Sequence, residues 1–188
     1  MKHFYQDIEG RFDFEDVYTA AVREAPSGVC FLEIGCWQGR STAFLATEIL
    51  NSGKDIHLHV VDTFSWLNDG QFKDSQHLKQ TFLQNIEPVK RVVTLHDHDS
   101  STSFNICHRP DKLWFIYVDG NHSYKQVRQD IKAWYPRLMP GGYIAGHDYG
   151  KKYAGLRRAV SEAFGFNYQH ILNSWIHRKP AKGVPANS

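Results

Sequence analysis

One stretch, Val29 to Thr42, constrains the fold of this chain more than any other. An apolar run over residues 29–34 leads into a loop framed by Gly35 and Gly39, and a helical pattern begins directly after the loop. A run without polar alternation is typical of a strand buried on both faces of a parallel sheet. Glycines let the backbone pass close to a ligand, and the helix that follows directs free N–H groups to the same place. The stretch therefore predicts a cradle for a nucleotide or a cofactor.

Strand and helix patterns alternate along the rest of the chain. The predicted strands cover residues 29–34, 57–61, 91–95, 113–118 and 143–145, with two short strands within 166–178. The predicted helices cover residues 14–25, 41–50, 74–84, 103–107 and 124–138, with a last one around 156–163. We expect Asp13, Ser41 and Ser123 to cap helices. This order predicts an α/β fold: a doubly wound, mostly parallel sheet with helices on both faces and an antiparallel last strand.

The length and composition favour a single globular unit. With 188 residues, of which 41% are hydrophobic, the chain has enough apolar material for one domain. We expect a helical lead over 1–27, the core over 28–179 and a loose tail over 180–188.

Several broad classes of protein are disfavoured by the sequence. No apolar run approaches the ~20 residues of a membrane span, and residues 1–7 lack the apolar core of a secretion signal. Cys30, Cys36 and Cys107 lack disulfide or zinc spacing, which favours a reducing, cytoplasmic location. The formal charge of +2 comes without a basic run, so we expect no nucleic-acid partner.

Acidic residues stand at or just beyond the ends of the predicted strands. These residues are Glu33, Asp62, Asp99, Asp119 and Asp148. In a parallel sheet the carboxyl ends of the strands meet at one edge, where ligands bind. Carboxylates that converge there need cations, hydrogen-bond donors or a metal to balance them, so this edge is the predicted functional site.

The motifs around these acids carry a family resemblance. The glycine loop reads Glu-x-Gly-x-x-x-Gly, which departs from the dinucleotide fingerprint, and the phosphate-binding loop motif is absent. Together with residues 61–64, 118–124 and 140–149, and with Asp130, the loop resembles the class I S-adenosylmethionine-dependent methyltransferases. More narrowly, it resembles the family that includes sugar and macrocin O-methyltransferases. The resemblance extends from Ile8 to Phe164, with the motifs in family order, and implies a Rossmann-like methyltransferase fold.

The resemblance also implies the contacts of the cofactor, S-adenosylmethionine. Glu33, Gly35 and Gly39 would hold its methionine part, and Asp62 would accept hydrogen bonds from its ribose hydroxyls. Thr63 and Phe64 would flank the adenine, and Asp99 and Ser100 would contact the adenine edge. The remaining expected contacts are Cys36, Ser41, Thr42, Asp119 and Gly120.

Methyl transfer to a neutral hydroxyl needs a base or a metal to remove the proton. His122 is the first candidate base, because it follows Asp119 closely and its ordinary pKa near 6.5 suits proton removal. A structural role, capping the next helix or holding the loop, remains open for it. His147 is the second candidate base. Asp119 and Asp148 could share a divalent cation such as Mg²⁺, and His147 as a further ligand would favour a softer ion. His147 and Tyr149 depart from the metal-binding pattern of the family, so the need for a metal stays open.

The predicted function is methyl transfer to a hydroxyl of a small molecule, such as a sugar or a phenol. The acceptor pocket would be walled by aromatic residues, for which the candidates are Phe12, Trp37, Phe64 and Trp66. Residues 65–84 would cover this pocket. Two alternatives remain open: a scaffold that binds the cofactor without catalysis, and a nucleic-acid methyltransferase. The sequence is also compatible with a homo-oligomer and does not identify the acceptor.

Overall fold

The computed structural model of the chain describes residues 1–100 and 112–181. Its five α-helices are α1 (Glu15–Glu24), α2 (Arg40–Ser52), α3 (Ser75–Asn85), α4 (Tyr124–Trp134) and α5 (Ala154–Phe164). Its seven strands are β1 (Val29–Ile34), β2 (Ile56–Asp62), β3 (Val93–Asp97), β4 (Leu113–Val118), β5 (Tyr143–Gly146), β6 (Gln169–Ile171) and β7 (Ser174–Arg178). Short 3₁₀ helices cover Tyr5–Asp7, Asn68–Gly70, Glu87–Val92 and Tyr135–Arg137.

All seven strands form one sheet in the order β3-β2-β1-β4-β5-β7-β6. The first five strands pair in parallel, whereas β7 pairs antiparallel with β5 and β6 antiparallel with β7. The prediction of a doubly wound, mostly parallel sheet with an antiparallel last strand is confirmed. The order reverses between β1 and β4, so the carboxyl ends of these two strands flank the crevice in which such sheets bind ligands.

Two apolar layers cover the two faces of the sheet. One layer packs α1 and α2 against β1 and β2 and includes Tyr18, Phe31 and Leu45. The other packs α4 and α5 against β4 and β5 and includes Ile116, Trp134 and Trp175. Because both faces are covered, the central strands are apolar throughout, and every residue of β4 is buried. The edge of the sheet is left to carry the polar chemistry.

Two of the three predicted helix caps are wrong. Helix α1 begins after Phe14 without a side-chain cap, since the Asp13 carboxylate contacts His147 and Asn173 instead. Helix α2 begins one residue earlier than predicted, after Gly39 in the left-handed conformation, so Ser41 lies inside the helix. The prediction for Ser123 is confirmed, because its side chain accepts a hydrogen bond from the Gln126 N–H.

Other boundaries shift for local reasons. Strand β3 begins two residues later than predicted, because a 3₁₀ helix with Pro88 in its first turn precedes it. Helix α4 ends at Trp134, ahead of Pro136, and a 3₁₀ turn carries the remaining residues of the predicted helix. The predicted helix at 103–107 and most of the predicted tail lie outside the described residues. Within 1–100 and 112–181, no helix is long and apolar enough to span a bilayer.

Candidate active site

A large cleft opens at the carboxyl edge of the sheet. Its volume is about 1770 Å³, and its walls come from the glycine loop, the ends of β2, β4 and β5, and residues 9–13 of the N-terminal segment. Backbone hydrogen bonds join these parts: Gly35 N donates to Val61 O, and Asp119 N donates to Ile34 O. The cleft is therefore built on the rigid centre of the sheet.

The glycine loop is shaped by a close backbone approach. A Cβ on Gly35 would lie 2.4 Å from the carbonyl oxygen of Asp119, and Gly35 has a φ of +87°. Gly39 has a φ of +90°, and a Cβ there would lie 2.9 Å from the Phe82 ring. Both positions require glycine for conformation and for space. The loop is thereby pressed against the end of β4, where the predicted catalytic residues begin.

Glu33 lies behind this loop rather than in the cleft. Its side chain is 1% exposed, and its carboxylate accepts hydrogen bonds from Tyr18 Oη, at 2.8 Å, and from Thr42 Oγ1. Burial raises the pKa of Glu33 to about 7, although hydrogen bonds from Thr42, Ser41 and Tyr18 oppose the shift. Glu33 and Thr42 therefore connect β1 to α2, whereas Gly35, Cys36 and Ser41 line the cleft.

Asp62, at the end of β2, is bound to the glycine loop. One carboxylate oxygen accepts from Cys36 N at 2.7 Å and from Trp37 N at 3.1 Å. The other oxygen accepts from Phe64 N at 2.7 Å. Asp62 also lines the cleft, and carboxylate oxygens have further lone pairs for a ligand hydroxyl. Asp62 thus fixes the shape of the loop from the position predicted for a ribose contact.

The two residues predicted to flank adenine lie in different surroundings. Thr63 is exposed and lines the cleft, but Phe64 is 1% exposed and packs on Phe82, with a ring-centroid distance of 5.7 Å. A φ of +52° at Phe64 turns its side chain into the core. Phe64 is therefore absent from the cleft wall. It can neither flank the adenine nor wall the acceptor pocket, contrary to what the sequence predicted. Phe12, Trp37 and Trp66 do line the cleft.

Asp99 and Ser100 line the cleft beyond β3, where they were predicted. Ser100 Oγ donates to Asp130 Oδ1, and Gln126 Nε2 donates to the same oxygen at 3.1 Å. Burial raises the pKa of Asp130 to about 6, while Ser100 and Gln126 oppose the shift. Its second oxygen, Oδ2, is buried without a hydrogen-bond partner. Asp130 thus presents an unpaired acceptor on this side of the cleft.

The ends of β4 and β5 bring Asp119, His122 and Asp148 together. His122 Nε2 lies 3.2 Å from Asp148 Oδ2 and 3.5 Å from Asp119 Oδ1, yet it makes no well-oriented hydrogen bond. One ligand atom from each of the three residues fits within 4.8 Å of the others, which suits a shared cation. Asp148 has a φ of +57°, a strained conformation of the kind often found at functional sites.

His147 occupies the opposite side of the same carboxylates. Its Nε2 lies 2.7 Å from Asp13 Oδ1, and its Nδ1 lies 3.5 Å from Asp119 Oδ1 and 3.7 Å from Asp148 Oδ1. Asn173 Nδ2 donates to the other Asp13 oxygen at 2.9 Å. His147 was predicted as a metal ligand and second base, but the three residues that could surround a cation include His122 in its place.

The electrostatics of the two histidines and the carboxylates are linked. Burial lowers the pKa of His147, but its hydrogen bonds to Asp119 and Asp13 and the charges of Asp119 and Asp148 outweigh this and raise it to about 9. For Asp119 the opposite holds: burial raises its pKa, but the hydrogen bonds and charges of His122 and His147 lower it by more. The pKa of Asp119 therefore lies below its usual value. At neutral pH the site therefore holds an imidazolium at His147 beside an ionised Asp119.

Asp13 is the site residue that sequence reasoning missed. It lies before α1, in a segment where the pattern indicated only a helix cap, and its partners His147 and Asn173 are more than 130 residues away. No local spacing signals such a contact.

A family model described as a methyltransferase domain matches residues 32–149. This span begins in β1 and ends just beyond Asp148, so it includes the glycine loop and the ends of β4 and β5. A search of curated proteins found no significant match.

Solved structures with the same fold include several methyltransferases. CalS11, a TDP-rhamnose 3'-O-methyltransferase of calicheamicin biosynthesis, superposes with a TM-score of 0.64 at 18% identity, covering 87% of this chain and 76% of that one. The O-methyltransferase NovP gives a TM-score of 0.67 at 16% identity, with coverages of 88% and 79%. An S-adenosylmethionine-dependent O-methyltransferase from Thermotoga maritima gives 0.64 at 12% identity, with coverages of 94% and 69%. At these identities the likeness shows the fold.

Proposed function

Because the chain belongs to the class I methyltransferases, we propose that it transfers a methyl group from S-adenosylmethionine to a hydroxyl oxygen of a small molecule. The observation that carries this proposal is the grouping of Asp119, His122 and Asp148 at the cleft edge, beside the glycine loop. A group that removes a proton or binds a cation is what a neutral hydroxyl acceptor requires.

The cofactor-binding part of the proposal depends on the walls of the cleft. Gly35, Asp62 and Ser100 line it at the ends of three neighbouring strands, β1, β2 and β3. Asp62 would accept from the ribose hydroxyls, and the unpaired Asp130 Oδ2, near Ser100, would accept from an amino group of the ligand. The first-turn N–H groups of α2 favour a negatively charged group of the ligand at the glycine loop.

In the chemical step we assign His122 as the group that takes the proton of the hydroxyl. His122 lines the cleft with its imidazole beside Asp119 and Asp148, whose carboxylates would stabilise the imidazolium that forms when it takes the proton. His147 is unsuited to that role, because the hydrogen bonds and charges of the surrounding carboxylates raise its pKa to about 9 and hold it protonated at neutral pH. Its positive charge instead offsets the charges of Asp13, Asp119 and Asp148, which would otherwise repel each other at close range.

The same residues fit a divalent cation. Two carboxylates and an imidazole are a donor set for Mn²⁺, Fe²⁺ or Zn²⁺. Mg²⁺ would use the two carboxylates, because it prefers oxygen ligands. When bound, such a cation would acidify the acceptor hydroxyl. Asp119 and Asp148 would hold it, and His122 would either join them or act as the base, because its one free lone pair serves a single role.

Two tryptophans of the cleft wall support the acceptor class in this proposal. The Trp37 and Trp66 rings lie 5.3 Å apart on the cleft wall, and Trp66 is 63% exposed. Such a surface suits a sugar ring or an aromatic ring. CalS11 and NovP, which share the fold, are O-methyltransferases, and this agrees with an oxygen acceptor.

The first experiment tests whether the chain binds S-adenosylmethionine, which both the enzyme and the scaffold alternative require. Titration calorimetry should show binding of S-adenosylmethionine to the full chain in the micromolar range, and complete absence of binding would overturn the proposal. A panel of hydroxylated sugars and phenols would then be screened by the release of S-adenosylhomocysteine, with Mg²⁺, with Mn²⁺ and with EDTA. Cofactor binding without turnover on any acceptor would favour the scaffold alternative.

Two histidine variants test whether His122 is needed for turnover. His122→Ala should abolish most of the turnover with any responsive acceptor, whereas His170→Ala, on the exposed edge strand β6, should leave it unchanged. If EDTA removes the activity of the wild-type protein, His122 is assigned to the cation. If EDTA has no effect, His122 is assigned as the base.

A further inference from the structure

The charge of this chain is distributed very unevenly between its two parts. Residues 1–100 contain fifteen acidic residues and nine lysines and arginines, a net charge of −6. Residues 112–181 contain four acidic residues and eleven lysines and arginines, a net charge of +7. The overall charge of +2 conceals this asymmetry.

The acids of the second part are almost all used inside the cleft. Asp119, Asp130 and Asp148 line it, which leaves Glu162 as the acidic side chain on the outer surface of residues 112–181. Glu162 accepts from Arg158 Nε at 2.8 Å and from Tyr124 Oη at 2.6 Å. Within the described residues, no other exposed lysine or arginine of this part forms an ion pair with a carboxylate.

Four of these cations lie near the starts of α4 and α5, and we call them the basic rim: Lys125, Arg128, Lys151 and Lys152. All four are exposed, and none forms an ion pair within the described residues. The two helices pack closely here, since a Cβ on Gly155 would lie 3.1 Å from Tyr124 N. Because the starts of α4 and α5 are separate in the sequence, the four residues do not form a continuous basic run there.

The basic rim adjoins the proposed catalytic residues through one aromatic ring. The Tyr153 ring lies 4.8 Å from the His122 ring, and Lys152 Nζ lies 5.3 Å from the Tyr153 ring centroid. Both Lys152 and Tyr153 line the cleft. A molecule whose hydroxyl reaches His122 can therefore extend past Tyr153 to the rim.

We propose that the methyl acceptor carries a phosphoryl group, which binds at the basic rim while the hydroxyl end enters the cleft. This inference rests on the function proposed above. The cleft interior carries several carboxylates and disfavours an anion, so an anionic group is best held outside, where the cations are. Phosphoryl oxygens carry more than one charge and several acceptor sites, which suits a set of flexible lysines and an arginine.

The test uses binding of soluble phosphoryl probes to the full chain. Inorganic pyrophosphate and uridine diphosphate would be titrated at low salt, with chemical shifts of the backbone amides as the readout. The double variant Lys151→Ala/Lys152→Ala should weaken pyrophosphate binding by about tenfold or more, because two charged hydrogen bonds are lost. Lys151→Arg/Lys152→Arg should retain it. The matched control Lys90→Ala/Arg91→Ala, with the same charge change on an exposed segment before β3, should stay within about twofold of wild type.

The outcomes distinguish the sources of the phosphoryl group and the two levels of the proposal. Binding of soluble pyrophosphate supports a soluble acceptor; binding only to phosphatidylglycerol vesicles supports a lipid-linked one. Equal weakening by the control variant, or tighter binding of an RNA oligonucleotide that is insensitive to Lys151 and Lys152, overturns the inference. Binding of S-adenosylmethionine, measured in the same samples, reports on the proposed function separately: if it persists without pyrophosphate binding, only the phosphoryl inference fails.

Discussion

The two halves of the cleft satisfy their polar groups in opposite ways. In the half formed by the glycine loop, the Asp62 carboxylate accepts from three backbone N–H groups, and Glu33 accepts from Tyr18 and Thr42. In the half formed by the ends of β4 and β5, His122 Nε2 faces two carboxylates without a well-oriented hydrogen bond. The carboxylates of the first half are thus satisfied within the chain, whereas the imidazole of the second half is not.

This difference indicates a division of labour. A half whose hydrogen bonds are internal keeps its shape before a ligand arrives, which lowers the cost of binding. A half with an unpaired imidazole, clustered carboxylates and a strained Asp148 holds groups whose interactions are completed only by a ligand or by a proton. The variants below should therefore affect chemistry more than stability in one half, and stability together with binding in the other.

The largest effect is expected from Asp119→Asn. The amide keeps the shape but removes the charge that faces both His122 and His147, so turnover should fall by about 10³-fold, or roughly 4 kcal/mol. Affinity for S-adenosylmethionine should change little, and the thermal midpoint should fall modestly, because the His147 imidazolium loses one charged partner but keeps Asp13 and Asp148. Asp97→Asn is the matched control, because Asp97 also ends a strand but pairs with Lys79. Similar losses of turnover in both variants would contradict the catalytic assignment.

Gly35→Ala tests the junction between the halves. Its Cβ would overlap the Asp119 carbonyl, and its φ of +87° is costly for alanine, so we expect a loss of about 3 kcal/mol in the free energy of unfolding. Gly141 has a similar φ of +82° with open space around its Cβ position, so Gly141→Ala isolates the conformational cost at about 1 kcal/mol. Urea denaturation of both variants measures the difference. Equal losses would mean that the close approach to Asp119 does not matter.

The pH dependence of the free energy of unfolding tests whether Glu33, behind the glycine loop, is a buried acid with a raised pKa. The folded-state pKa of Glu33 is raised to about 7 from an ordinary value of 4.5, so its ionisation opposes folding as the pH rises through this window. Between pH 5 and 8 this costs about 2 kcal/mol of stability. Glu33→Gln should remove that part of the slope, as measured by urea denaturation at several pH values. An unchanged slope would show that the pKa of Glu33 is not raised in the folded protein.

The sequence predicted the sheet and one half of the site for physical reasons. Apolar runs, glycines and the strand-end acids are local signals, and they located β1, β4 and the Gly35 loop well. Glu33 and Phe64 were expected in the cleft, because motifs record position along the chain and not the direction of a side chain. The φ of +52° that turns Phe64 inward has no signature in its own residue type.

For the other half of the site, the motifs named the residues but not their arrangement, because that arrangement depends on contacts between distant segments. The order of His122 and His147 around the carboxylates follows from the strained turn at Asp148 and from the approach of Asp13. The basic rim similarly combines the starts of α4 and α5. Such arrangements depend on packing of the whole fold, and single-residue patterns do not encode them.

The smallest effect is expected from Asp13→Ala, which asks whether the N-terminal segment belongs to the chemical half. Asp13 holds His147 Nε2 at 2.7 Å and so orients Nδ1 towards Asp119. Loss of such an orienting contact typically costs about tenfold or more in activity, so kcat should fall by about tenfold with KM nearly unchanged. Asp13→Asn retains an acceptor oxygen and should recover part of this loss, whereas Asp16→Ala, in the exposed first turn of α1, should have no effect on kcat. If Asp13→Ala instead lowers only the thermal midpoint, the contact is structural and the chemical half ends at β5.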